Sequence, residues 1–264
     1  MYKRQTQDLT YGQYLGHASA EQHVHLVNID PVLDLGITGN VTAENNFLEK
    51  ILVHKPNHLF GYTHLGYHSF LTDKDELDTL YSLGFECIRI GDIKSKIQEA
   101  EPYIRGADFL SFDMQAIRAS DSPISHSPFG FSSEEACQML WYAGQHNLLS
   151  SLGIYGYAES DDVHKRSAQI IATMLWYFIE GFYYRKGEKN VLDSHYTKYI
   201  VSFEPEELTF YKDNLTDKWW MEILPERPIA VSRNTLIPCS FADYEEAMKG
   251  KLPERWIEAQ RRMS

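Results

Sequence analysis

Apolar positions along this chain switch repeatedly between a strand period and a helix period. The stretch 25–30, HisLeuValAsnIleAsp, is a short apolar run with β character that stops at Asp30 and Pro31. Runs of the same kind follow at 58–67, 87–90, 107–113 and 151–157. Between them the spacing turns helical, at 8–21, 44–54, 73–83, 92–101, 133–146 and 161–186. In the helix at 73–83, Leu77, Leu80 and Tyr81 share one side. Ser132 and Ser133 ahead of Glu134 and Glu135 offer a hydroxyl cap and early carboxylates to the helix at 133–146. Strands alternating with helices predict an α/β fold: a mostly parallel sheet covered on both faces, three layers in all.

The tail reads differently. Three short β-rich runs, 197–203, 208–212 and 218–223, are separated by the turn-forming GluProGluGlu and AspAsnLeuThrAsp. They predict an antiparallel meander. Short helices follow at 241–249 and 253–262, with Pro253 at a first-turn position. Trp219 and Trp220 suit either a buried aromatic pair on a half-covered sheet or a recognition surface. No polar linker intervenes. The expected organisation is a main α/β domain over 5–190, with 195–264 as an appendage packed on it.

Composition narrows the function classes. The chain has 264 residues, 43% apolar and 23% charged, which is ordinary for a globular protein. Its net charge of −12 disfavours nucleic acid and anionic membrane as partners. No apolar run reaches the ~20 residues of a membrane span; 168–182 comes nearest and is interrupted by Glu180. Cys87, Cys137 and Cys239 are widely spaced and form no CxxC, which fits a reducing, cytoplasmic setting and argues against a cysteine zinc site.

Candidate chemistry gathers where α/β sheets bind ligands, beyond the carboxyl ends of strands. Asp30 ends one strand, Asp34 follows four residues on, and Asp113 ends another. Oxygen ligands of this kind suit a hard divalent cation. Strand-end aspartates also cap turns, so metal and turn chemistry both remain open. Gln115 stands two residues after Asp113, on the same face, where a second carboxylate would complete a metal site. His23 and His25 alternate, and His58, His64 and His68 cluster in an aromatic stretch, but no HExxH occurs. Ser111 lacks a GxSxG elbow, and Gly-rich phosphate loops are absent.

These strand ends, in this order, resemble the ureohydrolase superfamily of arginase, agmatinase and formimidoylglutamase, most closely the formimidoylglutamase-like proteins of Bacteroidetes. AspProValLeuAsp, 30–34, resembles the family's Asp-Ala-His-x-Asp, and SerPheAspMetGln, 111–115, its Ser-x-Asp-x-Asp. SerProPheGlyPheSerSerGluGluAla, 127–136, resembles the approach to the next helix. GlyIleTyrGlyTyrAlaGluSerAspAsp, 153–162, resembles the strand end that carries a catalytic Glu. The likeness spans residues ~5–186 and implies an arginase-like fold. It also implies hydrolysis of a guanidino or formimino C–N bond by a hydroxide held between two Mn²⁺ ions.

Carried over by position, the resemblance implies Asp30 and Asp113 as bridging carboxylates and Asp34 as a ligand private to the first ion, with Gln7 at that ion's His position. The second ion's private ligands fall on Val32 and Gln115, and the catalytic Glu on Gly156. The expectation is therefore a degraded binuclear site. It would hold one Mn²⁺ or Mg²⁺ through Asp30, Asp34, Asp113 and the Gln7 amide oxygen, or no metal, with a carboxyl pKa raised by like-charge repulsion.

A non-catalytic binding or scaffold role follows, toward an unknown small molecule or protein and with room for a homo-oligomer. The alternatives are a working hydrolase that recruits His64 or His68 as substitute ligands, and an unrelated α/β protein. Because the resemblance begins mid-fold, the chain is expected to lack the family's first strands. That would leave Leu9, Tyr14, Leu15, Leu26, Val27 and Ile29 exposed, and the start of the chain weak.

Overall fold

The strand β1, Val24–Ile29, lies at the centre of the main sheet, and the reason is its sequence: six consecutive positions are buried, as only a strand covered on both faces requires. In the computed structural model the described residues are 6–36, 46–185, 195–203, 206–223 and 235–263. The beginning of the helix expected at 44–54, the end of that expected at 161–186 and the turn residues 204 and 205 lie outside them, as do residues 1–5. The chain divides into two compact units, Met1–Arg185 and Lys186–Ser264.

In the first unit, β2 (Leu59–Tyr67), β3 (Glu86–Arg89), β4 (Phe109–Asp113) and β5 (Ser151–Tyr155) join β1 in the order β3-β2-β1-β4-β5. Every pairing is parallel. Two apolar cores lie on the two faces, because alternate strand residues point opposite ways. Leu26, Tyr62 and Phe109 pack with Tyr14 of α1 (Leu9–Ser19), Phe47, Leu48 and Ile51 of α2 (Phe47–Val53) and Leu80 of α3 (Lys74–Ser82). Val27, Ile29, Leu110 and Phe112 pack with Ile93 of α4 (Ile90–Ser95), Ile104 of α5 (Ala100–Arg105), Met139 and Leu140 of α6 (Ser133–Gln145) and Met174 of α7 (Arg166–Tyr183). The three-layer α/β reading is what the structure has.

The expected weak start is overturned at the strand. β1 is flanked by β2 and β4 and covered on both faces, and Tyr14, Leu26, Val27 and Ile29 are fully buried. The chain that follows β1 supplies both neighbours, so this strand needs no partner from upstream. Leu9 and Leu15, on the outer side of α1, are exposed as anticipated.

Two helices differ from expectation. The helix anticipated at 92–101 is two short ones, α4 and α5, separated at Lys96 (φ −150°, ψ 77°) and a 3₁₀ turn over Ile97–Glu99. Pro102 explains the break: it has no N–H to give a preceding carbonyl, so it is accommodated in the first turn of a new helix. α7 starts late, at Arg166, after a 3₁₀ turn over Glu159–Asp161 and Lys165 at φ 56°. Its cap comes from Asp162, whose two oxygens accept the amides of Ser167 and Ala168 at 3.1 and 2.9 Å. α6 has the cap its sequence promised: Glu135 N–H donates to Ser132 Oγ, and Ser132 N–H to Glu135 Oε2.

The second unit is an antiparallel sheet of four strands, β6 (Tyr196–Phe203), β7 (Glu206–Asp213), β8 (Trp219–Glu222) and β9 (Leu236–Cys239), in that order. The meander was expected with three strands. β9 escaped notice because Pro238 interrupts its run, and such a proline is tolerated at a sheet edge, where β9 lies. α8 (Phe241–Met248) and α9 (Glu254–Met263) follow. Trp219 is buried and stacks on Tyr244 with ring centroids 5.0 Å apart, while Trp220, next along the pleat, is half-buried.

Candidate functional site

Strand register builds the site. Ile29 pairs with Phe112, so Asp30 and Asp113 leave the sheet side by side at the carboxyl ends of neighbouring strands, which run about 4.8 Å apart. Asp113 pairs with Tyr155, so Gly156 emerges next to Asp113 on the other side. A cavity of about 280 Å³ opens at this edge. Gln7, Asp30, Val32, Asp34, Asp113, Gln115 and Gly156, every residue that the sequence singled out for the centre, line it. Neither His64 nor His68, the substitute ligands of the alternative hydrolase reading, lines it. His64 has both ring nitrogens engaged elsewhere, Nε2 donating to the Asp30 main-chain oxygen at 2.8 Å and Nδ1 with Tyr62 Oη at 2.9 Å.

Turn chemistry takes one oxygen from each strand-end carboxylate. Asp30 Oδ1 accepts Val32 N–H at 2.8 Å, and Asp113 Oδ1 accepts Gln115 N–H at 2.7 Å. Asp34 is buried at φ 54°, a left-handed conformation that aspartate tolerates. Asp30 Oδ2 is buried with no conventional donor among the described residues. The Asp34 side chain lies close enough to the Asp30 carboxyl for the Asp30 charge to raise the proton affinity of Asp34.

Burial, then the neighbouring Asp113 charge, push the Asp30 carboxyl well above the usual carboxylate range, against the pull of the Val32 amide and the Asp34 and Gln7 side chains. Burial, then Asp30 and Asp113, push Asp34 up as well. Among the described residues no group of three or more His, Cys, Asp or Glu side chains is placed to hold a metal ion.

The two positions that the resemblance assigns to a second ion carry side chains unsuited to that role. Val32 has no lone pair to give. Gln115 has its amide committed to the following loop: Nε2 donates to Ile124 O at 2.9 Å, and Oε1 accepts His126 N–H at 3.1 Å. Gly156 stands at φ 77°, and a Cβ there would fall 2.3 Å from Asp113 Oδ1, so a side chain at this position would have to displace the Asp113 carboxylate.

Below the cavity runs a buried polar network that sequence reasoning missed. Gln7 Nε2 donates to Asn28 Oδ1 at 2.8 Å and to Ser111 Oγ at 3.3 Å. Thr10 Oγ1 meets Ser111 Oγ at 2.9 Å, and Asn28 Nδ2 reaches Tyr62 Oη at 3.5 Å. The signal was in the strands: Asn28 and Ser111 are polar residues in apolar runs, each two before a strand-end aspartate and so on its face of the sheet. Asp161 and His126 also line the cavity, without any local pattern to announce them.

No protein-family model and no curated protein matches this sequence. Solved structures do match by fold. The formimidoylglutamase of Bacillus subtilis superimposes with a TM-score of 0.61 at 17% identity, over 69% of this chain and 60% of its own. The formiminoglutamase of Trypanosoma cruzi with bound Mn²⁺ gives 0.60 at 18%, over 68% and 64%. An arginase of Entamoeba histolytica in complex with L-ornithine gives 0.59 at 16%, over 66% and 67%. The match covers less than two thirds of the length of either glutamase. The chain has the arginase-like α/β fold of these structures.

Proposed function

We propose that this chain is a ureohydrolase-fold binding protein that does not hydrolyse its ligand, its metal centre having become a small acidic pocket. The observation behind this reading is the engagement of Gln115. Its amide joins the loop at Ile124 and His126, so it is a structural clamp where the resemblance implies a metal ligand. Val32 and Gly156 point the same way, since neither can bind an ion or move a proton. What remains is a cavity ringed by Asp30, Asp34, Asp113 and Asp161, whose carboxylates and carboxyls favour a single cationic group. One Mn²⁺ or Mg²⁺ would require Asp30, Asp34 and Asp113 to draw together around it, with the Gln7 amide oxygen as a further donor; Val32 and the committed Gln115 amide offer a second ion nothing.

A second reading is a metal-dependent hydrolase acting on a C–N bond of a guanidino or formimino compound. The three retained carboxylates and the likeness to the Mn²⁺-bound trypanosomal structure favour it. The test is release of urea or formamide from a panel of such compounds by protein supplied with Mn²⁺. No release above the uncatalysed rate, with saturable binding of a panel member, supports the binding protein. Turnover of any member establishes the hydrolase.

A further inference from the structure

A second cavity, of about 460 Å³, opens beyond the carboxyl ends of β2 and β3 and shares no lining residue with the carboxylate cavity. In a protein of net charge −12, this cavity is lined by Arg89, Lys94 and Arg118 against one carboxylate, Asp92. Lys94 is held in place by Gly130 O at 2.6 Å and Glu135 at 3.1 Å. Asp121 engages Arg118 through Nε, at 2.8 Å, so the terminal guanidinium nitrogens stay available. Arg89 is exposed, with no hydrogen-bond or ion-pair partner among the described residues.

At the wall stands His68, only 3% exposed, whose Nε2 is buried with no hydrogen-bond partner among the described residues. A buried polar atom left unpaired is destabilising and marks a wall that is not optimised for the fold alone. Burial and the nearby Lys94 charge push the imidazole below its ordinary value, so the wall it forms is neutral. Two aromatic rings complete the mouth. Phe70 and Phe129 are each 65% exposed, and Phe70 stands edge-on to the His68 ring with centroids 5.2 Å apart. Large apolar rings left in water beside a cationic cavity are the pattern of a site that stacks a planar group.

We propose that this cavity binds a small phosphate ester carrying a planar ring, of the nucleoside monophosphate class. Arg89 and Arg118 take the phosphate oxygens, as guanidinium groups favour, and Phe70 and Phe129 take the ring. The volume suits a ligand of that size.

The test is calorimetric titration of the full chain with adenosine 5′-monophosphate, phenyl phosphate, inorganic phosphate and adenosine. The expected result is saturable binding of both phosphate esters, with inorganic phosphate and adenosine each weaker by roughly tenfold or more. Arg89→Gln, at an exposed position that leaves the fold intact, should weaken both esters about fivefold or more. Phe129→Ser should weaken the esters but leave inorganic phosphate unchanged. Absence of saturable binding by either ester, binding no tighter than that of inorganic phosphate, or affinities unmoved by Arg89→Gln would each overturn the proposal.

Discussion

Gly156 lies against Asp113 so closely that a Cβ built on it would sit 2.3 Å from the Asp113 Oδ1 atom, the same atom that accepts the Gln115 amide at 2.7 Å. A side chain at the position where the resemblance implies a catalytic Glu would therefore have to displace the Asp113 carboxylate. Asp113 is pinned on one side by the turn to Gln115 and on the other by contact with a bare backbone.

Gly156→Glu is expected to fail as a restoring change. The residue would need φ near 77°, and Asp113 would have to leave its turn hydrogen bond. A strained left-handed position costs roughly 1–3 kcal/mol. Urea unfolding should show a loss of that order, and Mn²⁺ affinity should fall with it. A variant as stable as the parent would mean that Asp113 moves freely.

Val32→His combined with Gln115→Asp is expected to add one Mn²⁺ per chain while lowering stability. The new side chains supply donors where the second ion would bind. Yet a shorter Asp cannot span to both Ile124 O and His126 N–H, and two lost neutral hydrogen bonds cost roughly 1–3 kcal/mol. Metal stoichiometry and denaturant midpoint, measured on the same preparation, check both halves. Stability equal to the parent's would show that the clamp contributes nothing.

Much of this site was legible in the chain. Asp30 and Asp113 end apolar runs, and an alternating βα pattern puts such ends at one edge, so their convergence followed from periodicity alone. Asn28 and Ser111 were legible too, by their i, i+2 relation to those aspartates. What could not be read was side-chain commitment. Nothing local says that the Gln115 amide turns toward residues 124 and 126, or that Gly156 abuts Asp113, because both depend on loops returning from elsewhere in the fold. The same limit hid the split at Pro102 and the fourth strand with its Pro238: each is acceptable only in a particular place, at a helix start and at a sheet edge.

His64 gives the pH dependence a definite sign. Burial lowers its imidazole from 6.5 to about 4, in spite of the stabilising Asp30 carbonyl. As pH falls below 6.5 the unfolded chain takes up a proton that the folded chain refuses, so stability drops until about pH 4, below which both forms are protonated. The two-and-a-half-unit gap makes this a loss on the order of 3 kcal/mol. His64→Gln should remove that slope when the difference between variant and parent is followed by urea unfolding from pH 7 to 4. A difference that stays constant with pH would show that His64 is readily protonated in place.

Asp34→Asn is expected to stabilise the metal-free protein at neutral pH. A carboxyl whose folded pKa is raised is fully tolerated below the unfolded value near 3.8 and becomes progressively destabilising as pH rises toward the folded value. The amide removes that penalty and keeps the shape. Thermal melting at pH 5 and pH 8 should show a larger gain for Asp34→Asn at pH 8. A loss at both values would mean that Asp34 is held by charge that the triad does not supply.

The most direct test of a centre reduced below two ions is the Mn²⁺ stoichiometry of metal-free protein at saturating metal, by calorimetry with elemental analysis of the dialysed complex. Val32 and the committed Gln115 amide predict no more than one ion per chain, lost on Asp30→Ala. Two ions per chain would contradict the account and return this site to the hydrolases.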